Sequence, residues 1–174
     1  SVTNHGFLYD GTAYRTIEPP DTDWYGLGYY SAANGINDRG DIVGSFTQED
    51  GFSGFLATSV VSVEIDVKPG SDPNFFNMNG HGVIPVAILG SPSFDVTDVD
   101  MTTLSFGGLA VRMRGNKGHL CGYEDSNNDG ITDVVCRFQD DPSAWSVGSD
   151  SATLSGQLLD GSPFEGSDSI CVVP

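Results

Sequence analysis

The chain has 174 residues, 24 of them acidic and only 7 basic, and a formal net charge of −17. This balance excludes a nucleic-acid surface, because phosphate binding needs clustered Lys and Arg, and it favours divalent cations as ligands. The length fits one large domain or two small modules, and no run of 18 apolar residues predicts a membrane span.

The distribution of apolar residues predicts an all-β protein. Short runs rich in Val, Ile, Phe and Tyr are interrupted by Gly, Pro, Asn and Asp about every eight to twelve residues. Tight turns are expected at Asn34–Gly35, Asp38–Gly40 and Asp160–Gly161. So many short segments favour a β-sandwich. The candidate strands are 6–9, 13–17, 41–46, 54–58, 61–67, 82–89, 103–106, 109–114, 131–138, 152–159 and 168–173.

An internal echo predicts a division of the chain near residue 59. HGFLYDG at 5–11 is matched by SGFLAT at 53–58, a spacing of 48 residues between the two GFL motifs. Together with GINDRGDIVG, these segments resemble the GFLY…GINDxGxIVG…GFL repeats of secreted bacterial proteins, which implies a blade-like β-repeat unit over 1–59. A single blade neither buries both faces nor pairs both edges, so we expect it to contact the second module or another molecule.

An aromatic cluster, WYGLGYY at 24–30, lies inside this first unit. Its rings could stack on sugars, which makes a polysaccharide a candidate partner. They could equally anchor a protein interface, where Tyr and Trp are enriched, or cap the small core of an incomplete blade. The residues concerned are Trp24, Tyr25, Tyr29 and Tyr30.

Residues 61–173 resemble a secreted prokaryotic module over their whole length. The matching segments are VEIDVKPGSDPN, HGVIPVAILG, FDVTDVDMTT and TLSGQLLDGSPFEGSDSI, together with an oxygen-rich loop between the last two. The resemblance implies an Ig-like β-sandwich that serves as an accessory domain without enzymatic activity. We therefore expect a sandwich over 60–174, with Pro85 on an edge strand or at a bulge, because proline provides no N–H to a β-ladder.

The oxygen-rich loop is EDSNNDGITD at 124–133, which has the DxNxDGxxD pattern. Calcium binds six to eight oxygen ligands in flexible loops, and Gly130 permits the sharp turn that alternating donors need. Magnesium suits the loop less well, and the alternative without an ion is an Asx-rich surface turn. We predict Ca²⁺ bound by the side chains of Asp125, Asn127, Asp129 and Asp133 and by the carbonyl of Ile131.

Two further acidic stretches have weaker patterns. In FDVTDVD, the carboxylates of Asp95, Asp98 and Asp100 form either a second cation site or a solvated turn with Asx hydrogen bonds. In GSDPN, Asp72 and Asn74 are expected to be turn formers rather than ligands.

The three cysteines predict one disulfide and one remaining thiol. Cys121 and Cys136 bracket the loop, and their pairing would place the chain in an oxidising compartment. Cys171 is then free, or pairs with Cys136 in a rival arrangement, or links two subunits. With Ser1 rather than Met at the start, which suggests a removed leader or a fragment, we expect a secreted, extracellular or cell-surface protein.

No catalytic pattern stands out. The three histidines lie in loop-like Gly or Asn contexts, and the chain has neither a GxSxG elbow nor a phosphate-cradling glycine loop. We therefore expect a non-catalytic structural protein that assembles through exposed β-edges into a fibre or surface layer. The alternative is a carbohydrate-binding or adhesion module.

Overall fold

The computed structural model describes residues 6–9, 14–17, 31–48, 51–77 and 82–173. The chain divides into two compact units, Ser1–Ser59 and Val60–Pro174. Regular structure in the described residues is strand throughout, apart from the 3-10 turns Val96–Asp98, Gly115–Lys117 and Pro142–Ala144. The predicted all-β class is thus confirmed. No helix among these residues is long and apolar enough to cross a membrane.

The first unit contains two small antiparallel sheets. One pairs β1 with β2, and the other has the order β3-β4-β5, so that β3 and β5 are its edges. The strands are β1 (Gly6–Tyr9), β2 (Tyr14–Ile17), β3 (Ser31–Ile36), β4 (Ile42–Gln48) and β5 (Gly51–Ala57).

Of the two turns predicted in this region, the one at Asp38–Gly40 is confirmed and joins β3 to β4. Asn34 and Gly35 are within β3, so the turn predicted there is wrong. The side-chain oxygen of Asn37 instead accepts the backbone N–H groups of Arg39 and Asp41 at 3.0 and 2.9 Å. This Asx arrangement closes the turn three residues later, because Asn hydrogen-bonds to the backbone that follows it.

The second unit is built from two main sheets and a short ribbon. A five-stranded sheet has the order β11-β10-β14-β15-β6, a four-stranded sheet has the order β12-β13-β9-β7, and β16 pairs with β8. The strands are β6 (Val61–Ser62), β7 (Ile65–Val67), β8 (Phe75–Asn77), β9 (Val83–Ile88), β10 (Val99–Phe106), β11 (Leu109–Ala110), β12 (Cys121–Glu124), β13 (Asp133–Gln139), β14 (Ser151–Leu158), β15 (Pro163–Ser169) and β16 (Cys171–Val173).

One hydrophobic core joins these sheets, as a β-sandwich requires. Phe106 of the five-stranded sheet contacts Phe138 of the four-stranded sheet, with ring centroids 5.6 Å apart. Trp145 packs against Phe106 at 5.6 Å and against Phe76 of the ribbon at 4.8 Å. These rings are buried, so the sheets share an interior from which water is excluded.

The chain crosses from one sheet to the other at Val63–Glu64. Residues 61–67, predicted as one strand, form β6 in the five-stranded sheet and β7 in the four-stranded sheet. Gly166 permits this crossing, since a Cβ at that position would lie 2.5 Å from the carbonyl oxygen of Val63. A side chain on Gly166 would therefore force the two segments apart.

Pro85 occupies an interior strand, contrary to the expectation of an edge or bulge. Its strand, β9, lies between β13 and β7 and pairs in regular register with both. The carbonyl of Pro85 accepts the N–H of Lys68, which follows the end of β7 at Val67. The backbone nitrogen of Pro85 thus faces the chain beyond the end of β7, where the ladder between β7 and β9 has ended. The missing N–H of proline therefore removes no hydrogen bond from that ladder.

Candidate functional site

The oxygen-rich loop connects two paired strands. Glu124 at the end of β12 is opposite Asp133 at the start of β13, and Cys121 is opposite Cys136. These two cysteines form the predicted disulfide, with Cα atoms 4.1 Å apart. The loop is therefore closed at its base by the strand ladder and by a covalent bond.

Backbone amides inside the loop point at its acidic side chains. The two carboxylate oxygens of Asp125 accept the N–H groups of Asp129 and Gly130 at 3.1 and 3.0 Å. The N–H of Asp129 is shared with the side-chain oxygen of Asn127 at 3.1 Å, and Ile131 donates its N–H to Asp129 at 2.8 Å. The loop winds round these side chains and brings Asp125, Asn127 and Asp129 to one side.

Asp133 has a different environment from the other predicted ligands. Its side chain is fully buried. One carboxylate oxygen accepts the N–H of Gly90 at 2.9 Å, and the other accepts the N–H and the hydroxyl of Ser126 at 2.8 and 2.6 Å. Burial alone would raise the pKa of Asp133, but the hydrogen bonds from Ser126, Gly90 and Asn127 outweigh it and lower that pKa. Asp133 is thus held as a buried carboxylate that fastens the loop to the sandwich.

Gly90 and Ser126 complete this arrangement, and neither was among the site residues predicted from the sequence. A Cβ on Gly90 would lie 2.3 Å from the carbonyl oxygen of Thr132, so only glycine allows the chain after β9 to approach the loop this closely. Ser126 provides two donors to one carboxylate oxygen. The signals in the sequence for these two contacts of Asp133 were the glycine that ends VIPVAILG and the serine inside the oxygen-rich loop.

The donor set suits a hard cation. Each oxygen of Asp125 accepts one backbone N–H and retains a second lone pair. Within the described part of the chain, neither Asp125 nor Asp129 forms a salt bridge with a basic residue. In the same residues, no three His, Cys, Asp or Glu side chains converge as a ready metal cage. A cation here would therefore draw on the amide oxygen of Asn127 and on main-chain carbonyls as well as on carboxylates.

The second acidic stretch forms Asx turns. Asp95 accepts the N–H and hydroxyl of Thr97 at 2.9 and 2.7 Å, and Asp100 accepts the same two groups of Thr102 at the same distances. These hydrogen bonds lower the pKa of both carboxyl groups. Asp98 is exposed, and its backbone rather than its side chain bonds to Leu159. This arrangement matches the solvated turn, one of the two alternatives for this stretch.

The remaining predicted site residues separate into two groups. Cys171 is a free cysteine of intermediate exposure on the ribbon strand β16, between the buried Ile170 and Val172. The aromatic cluster lies outside the described residues; its members are Trp24, Tyr25, Tyr29 and Tyr30.

Comparisons of the chain with models of known protein families, with curated proteins and with solved structures found no match.

Proposed function

We propose that this protein is a non-catalytic extracellular building block, stabilised by calcium, whose first unit associates with further copies of the chain. The observation that carries the proposal is an apolar surface on the sheet β3-β4-β5. Val43 and Leu56 are paired across the strands, and Phe52 lies four residues before Leu56, so all three side chains share one face. We call these three residues the outer face.

The outer face is much more exposed than apolar side chains in a finished domain usually are. Phe52 is 83%, Leu56 66% and Val43 51% exposed. The opposite face of the same sheet carries the buried Ile42 and the ring pair Phe46–Phe55, whose centroids are 6.4 Å apart. Exposed apolar residues that share one face of a sheet can mark an interaction surface. Covering the outer face would remove large apolar side chains from water, which favours association.

A second copy of the chain is the occupant that the strand pattern favours. Strand β5 contains the GFL motif with which β1 also begins, so the edge strand of the sheet carries the sequence that opens a repeat. Among the described strands, β5 pairs with β4 alone, and a strand at such a position can accept a further strand. Another copy offers the same strands, and contacts of this head-to-tail kind extend into a filament when they do not close into a ring.

Calcium is the second part of the proposal. The ion is held by Asp125, Asn127, Asp129 and the carbonyl of Ile131, while Asp133 keeps the loop in place through Gly90 and Ser126. The support is the all-oxygen donor set on one side of a covalently closed loop. The ion would neutralise part of a net charge of −17, which otherwise opposes contact between copies. The disulfide supports an oxidising, extracellular location.

One experiment tests the whole proposal. The purified chain is concentrated in millimolar calcium and in chelator, and light scattering and electron microscopy are recorded for both samples. We expect particles larger than a single chain in calcium and fewer of them in chelator. A chain that stays monomeric in both buffers contradicts the proposed assembly. Glycan binding by that monomer would support the carbohydrate-binding alternative instead.

A further inference from the structure

A second group of oxygen atoms includes none of the loop residues 125–133. It lines a surface cavity of about 400 Å³ whose walls include Asp66, Asp72, Asn74 and Asp168. Asp66 belongs to β7 of the four-stranded sheet and Asp168 to β15 of the five-stranded sheet, while Asn74 directly precedes β8. The cavity is therefore placed where the two sheets and the ribbon meet.

Asn74 has an oxygen atom without a partner. The residue is only 5% exposed, and its side-chain Oδ1 is buried and accepts no hydrogen bond from any described residue. Its Nδ2 donates to the carboxylate of Asp168 at 3.3 Å and to the carbonyl of Ser169 at 3.0 Å. Exchanging the amide nitrogen and oxygen would place Oδ1 against two acceptors, so the orientation is determined by its neighbours. A buried acceptor left unpaired is destabilising, which calls for an electropositive group beside it.

Within the described part of the chain, the two carboxylates also lack a positive partner. Asp66 accepts no hydrogen bond from any described residue, and none of the described Lys, Arg or His side chains forms a salt bridge with Asp66 or Asp168. Asp66 and Asp168 both line the cavity, so their like charges repel each other, an arrangement that a bound cation relieves.

Asp168 is held in position by the backbone of both sheets. One of its oxygens accepts the N–H of Val67 at 2.8 Å, and the other accepts the N–H of Ser169 at 2.6 Å. The bond from Val67 crosses from the four-stranded to the five-stranded sheet. The Asp168 carboxylate is therefore oriented before any ligand arrives, which lowers the entropy cost of binding.

We propose that Asp66, Asn74 and Asp168 bind a divalent cation, and that this ion ties the two sheets of the sandwich together. The donors are carboxylate and amide oxygens, and none of the described residues of the cavity wall contributes a thiol or an imidazole, which selects calcium over zinc or copper. Water and main-chain carbonyls complete the coordination shell. Asp72 and Asn74, expected from the sequence to form only a turn, thereby acquire different roles: Asn74 is a ligand, and the exposed Asp72 lies at the rim.

The test counts calcium ions bound to the full chain by isothermal titration calorimetry after chelation. We expect two ions for the unsubstituted chain, one for Asp66→Asn, one for the loop variant Asp125→Asn/Asp129→Asn, and none for the combined variant. Asp150→Asn, an exposed carboxylate outside both sites, is the matched control and should bind two. If Asp66→Asn binds as many ions as the unsubstituted chain, the cavity site is overturned. An unchanged count in the loop variant instead contradicts only the loop site, so the two failures are distinguishable.

A thermal measurement separates ion binding from a structural effect. In chelator, Asp66→Asn should melt at a higher temperature than the unsubstituted chain, because the repulsion from Asp168 is removed. Addition of calcium should raise the melting temperature of Asp66→Asn by less than it raises that of the unsubstituted chain. If calcium raises the melting temperature of Asp66→Asn as much as that of the unsubstituted chain, the site is overturned. If Asp66→Asn does not fold, hydrogen exchange is measured on the loop variant instead. Calcium should slow the exchange of the backbone amides of 68–74 and 167–169. Unchanged exchange rates overturn the proposal.

Discussion

The side chain of Asp133 binds Ser126 twice, through the backbone N–H at 2.8 Å and the hydroxyl at 2.6 Å. The first residue of β13 is thereby bonded to the second residue of the loop that precedes it, and its other oxygen is bonded to Gly90 after β9. One buried carboxylate thus joins the loop to two strands of the four-stranded sheet. Its hydrogen bonds compensate the cost of burying a charge.

Removing the hydroxyl of Ser126 should therefore destabilise the second unit. We expect Ser126→Ala to lower the free energy of unfolding by about 1.5–3 kcal/mol, the usual contribution of a hydrogen bond to a charged group. Urea unfolding in chelator measures this effect without a contribution from calcium. Ser126→Thr keeps a hydroxyl and is the control, expected to retain most of the stability. Equal midpoints for Ser126→Ala and the unsubstituted chain would contradict the role given to Asp133.

Calcium should stabilise the fold through the loop. Chelation is expected to lower the melting temperature, since a ligand that binds only the native state stabilises it by mass action. Asp129→Ala should reduce the response to calcium, and Asp150→Ala should leave it intact. Calorimetric melting curves in calcium and in chelator provide the comparison. A response to calcium in Asp129→Ala equal to that of the unsubstituted chain would argue against the loop as a binding site.

The outer face of the first unit should control association. Phe52→Lys replaces the most exposed of its three apolar side chains with a charge, and we expect it to reduce the mean particle mass in calcium to that of one chain. Leu159→Lys makes the same chemical change at a 69% exposed position in the second unit and should leave association unchanged. Sedimentation velocity distinguishes the two variants. Loss of assembly in both variants would contradict the outer face as the association surface, because Leu159 lies in the second unit.

The disulfide should contribute to stability and leave one reactive thiol. Cys121→Ala/Cys136→Ala is expected to cost about 3 kcal/mol for a closed loop of this length, and more if the buried Cys136 site does not repack. Denaturant unfolding measures the loss. Thiol titration of the native, unreduced chain should detect one group per molecule, Cys171. A titre near zero would indicate that Cys171 links two chains.

The Asx turn at Asp95 predicts a pH-dependent effect that NMR can resolve. Because hydrogen bonds from Thr97 lower the pKa of Asp95 in the folded chain, its ionised form favours the folded state. That contribution is present above the unfolded pKa and is lost as the pH falls through the lower, folded value. Thr97→Val should raise the pKa of Asp95 towards its ordinary value. Asp100, bonded in the same way to Thr102, should keep its low pKa in this variant.

Much of the local structure follows from residue order alone. The alternation of Val134, Cys136 and Phe138 places all three side chains in the core, and the turn at Asp160–Gly161 forms as expected. The strands that were missed entirely are β3, β8 and β12, and of β15 only Asp168 and Ser169 were expected to be strand. Their sequences SAANGI, FFN and CGYE are short or poor in β-branched residues. Pairing with neighbouring strands, rather than propensity, makes them strands.

By itself, the sequence determined the all-β class, the spacing that brings Cys121 opposite Cys136, and the row of oxygen donors beside them, because these depend on periods of a few residues. Only the tertiary structure decided that Asp133 binds Gly90, 43 residues earlier, and that Asp168 binds Val67, 101 residues earlier. Such partners are selected by how two sheets pack and by where the chain crosses between them. No local pattern contains that information, since a side chain's neighbours across a sandwich depend on the register of every strand between them.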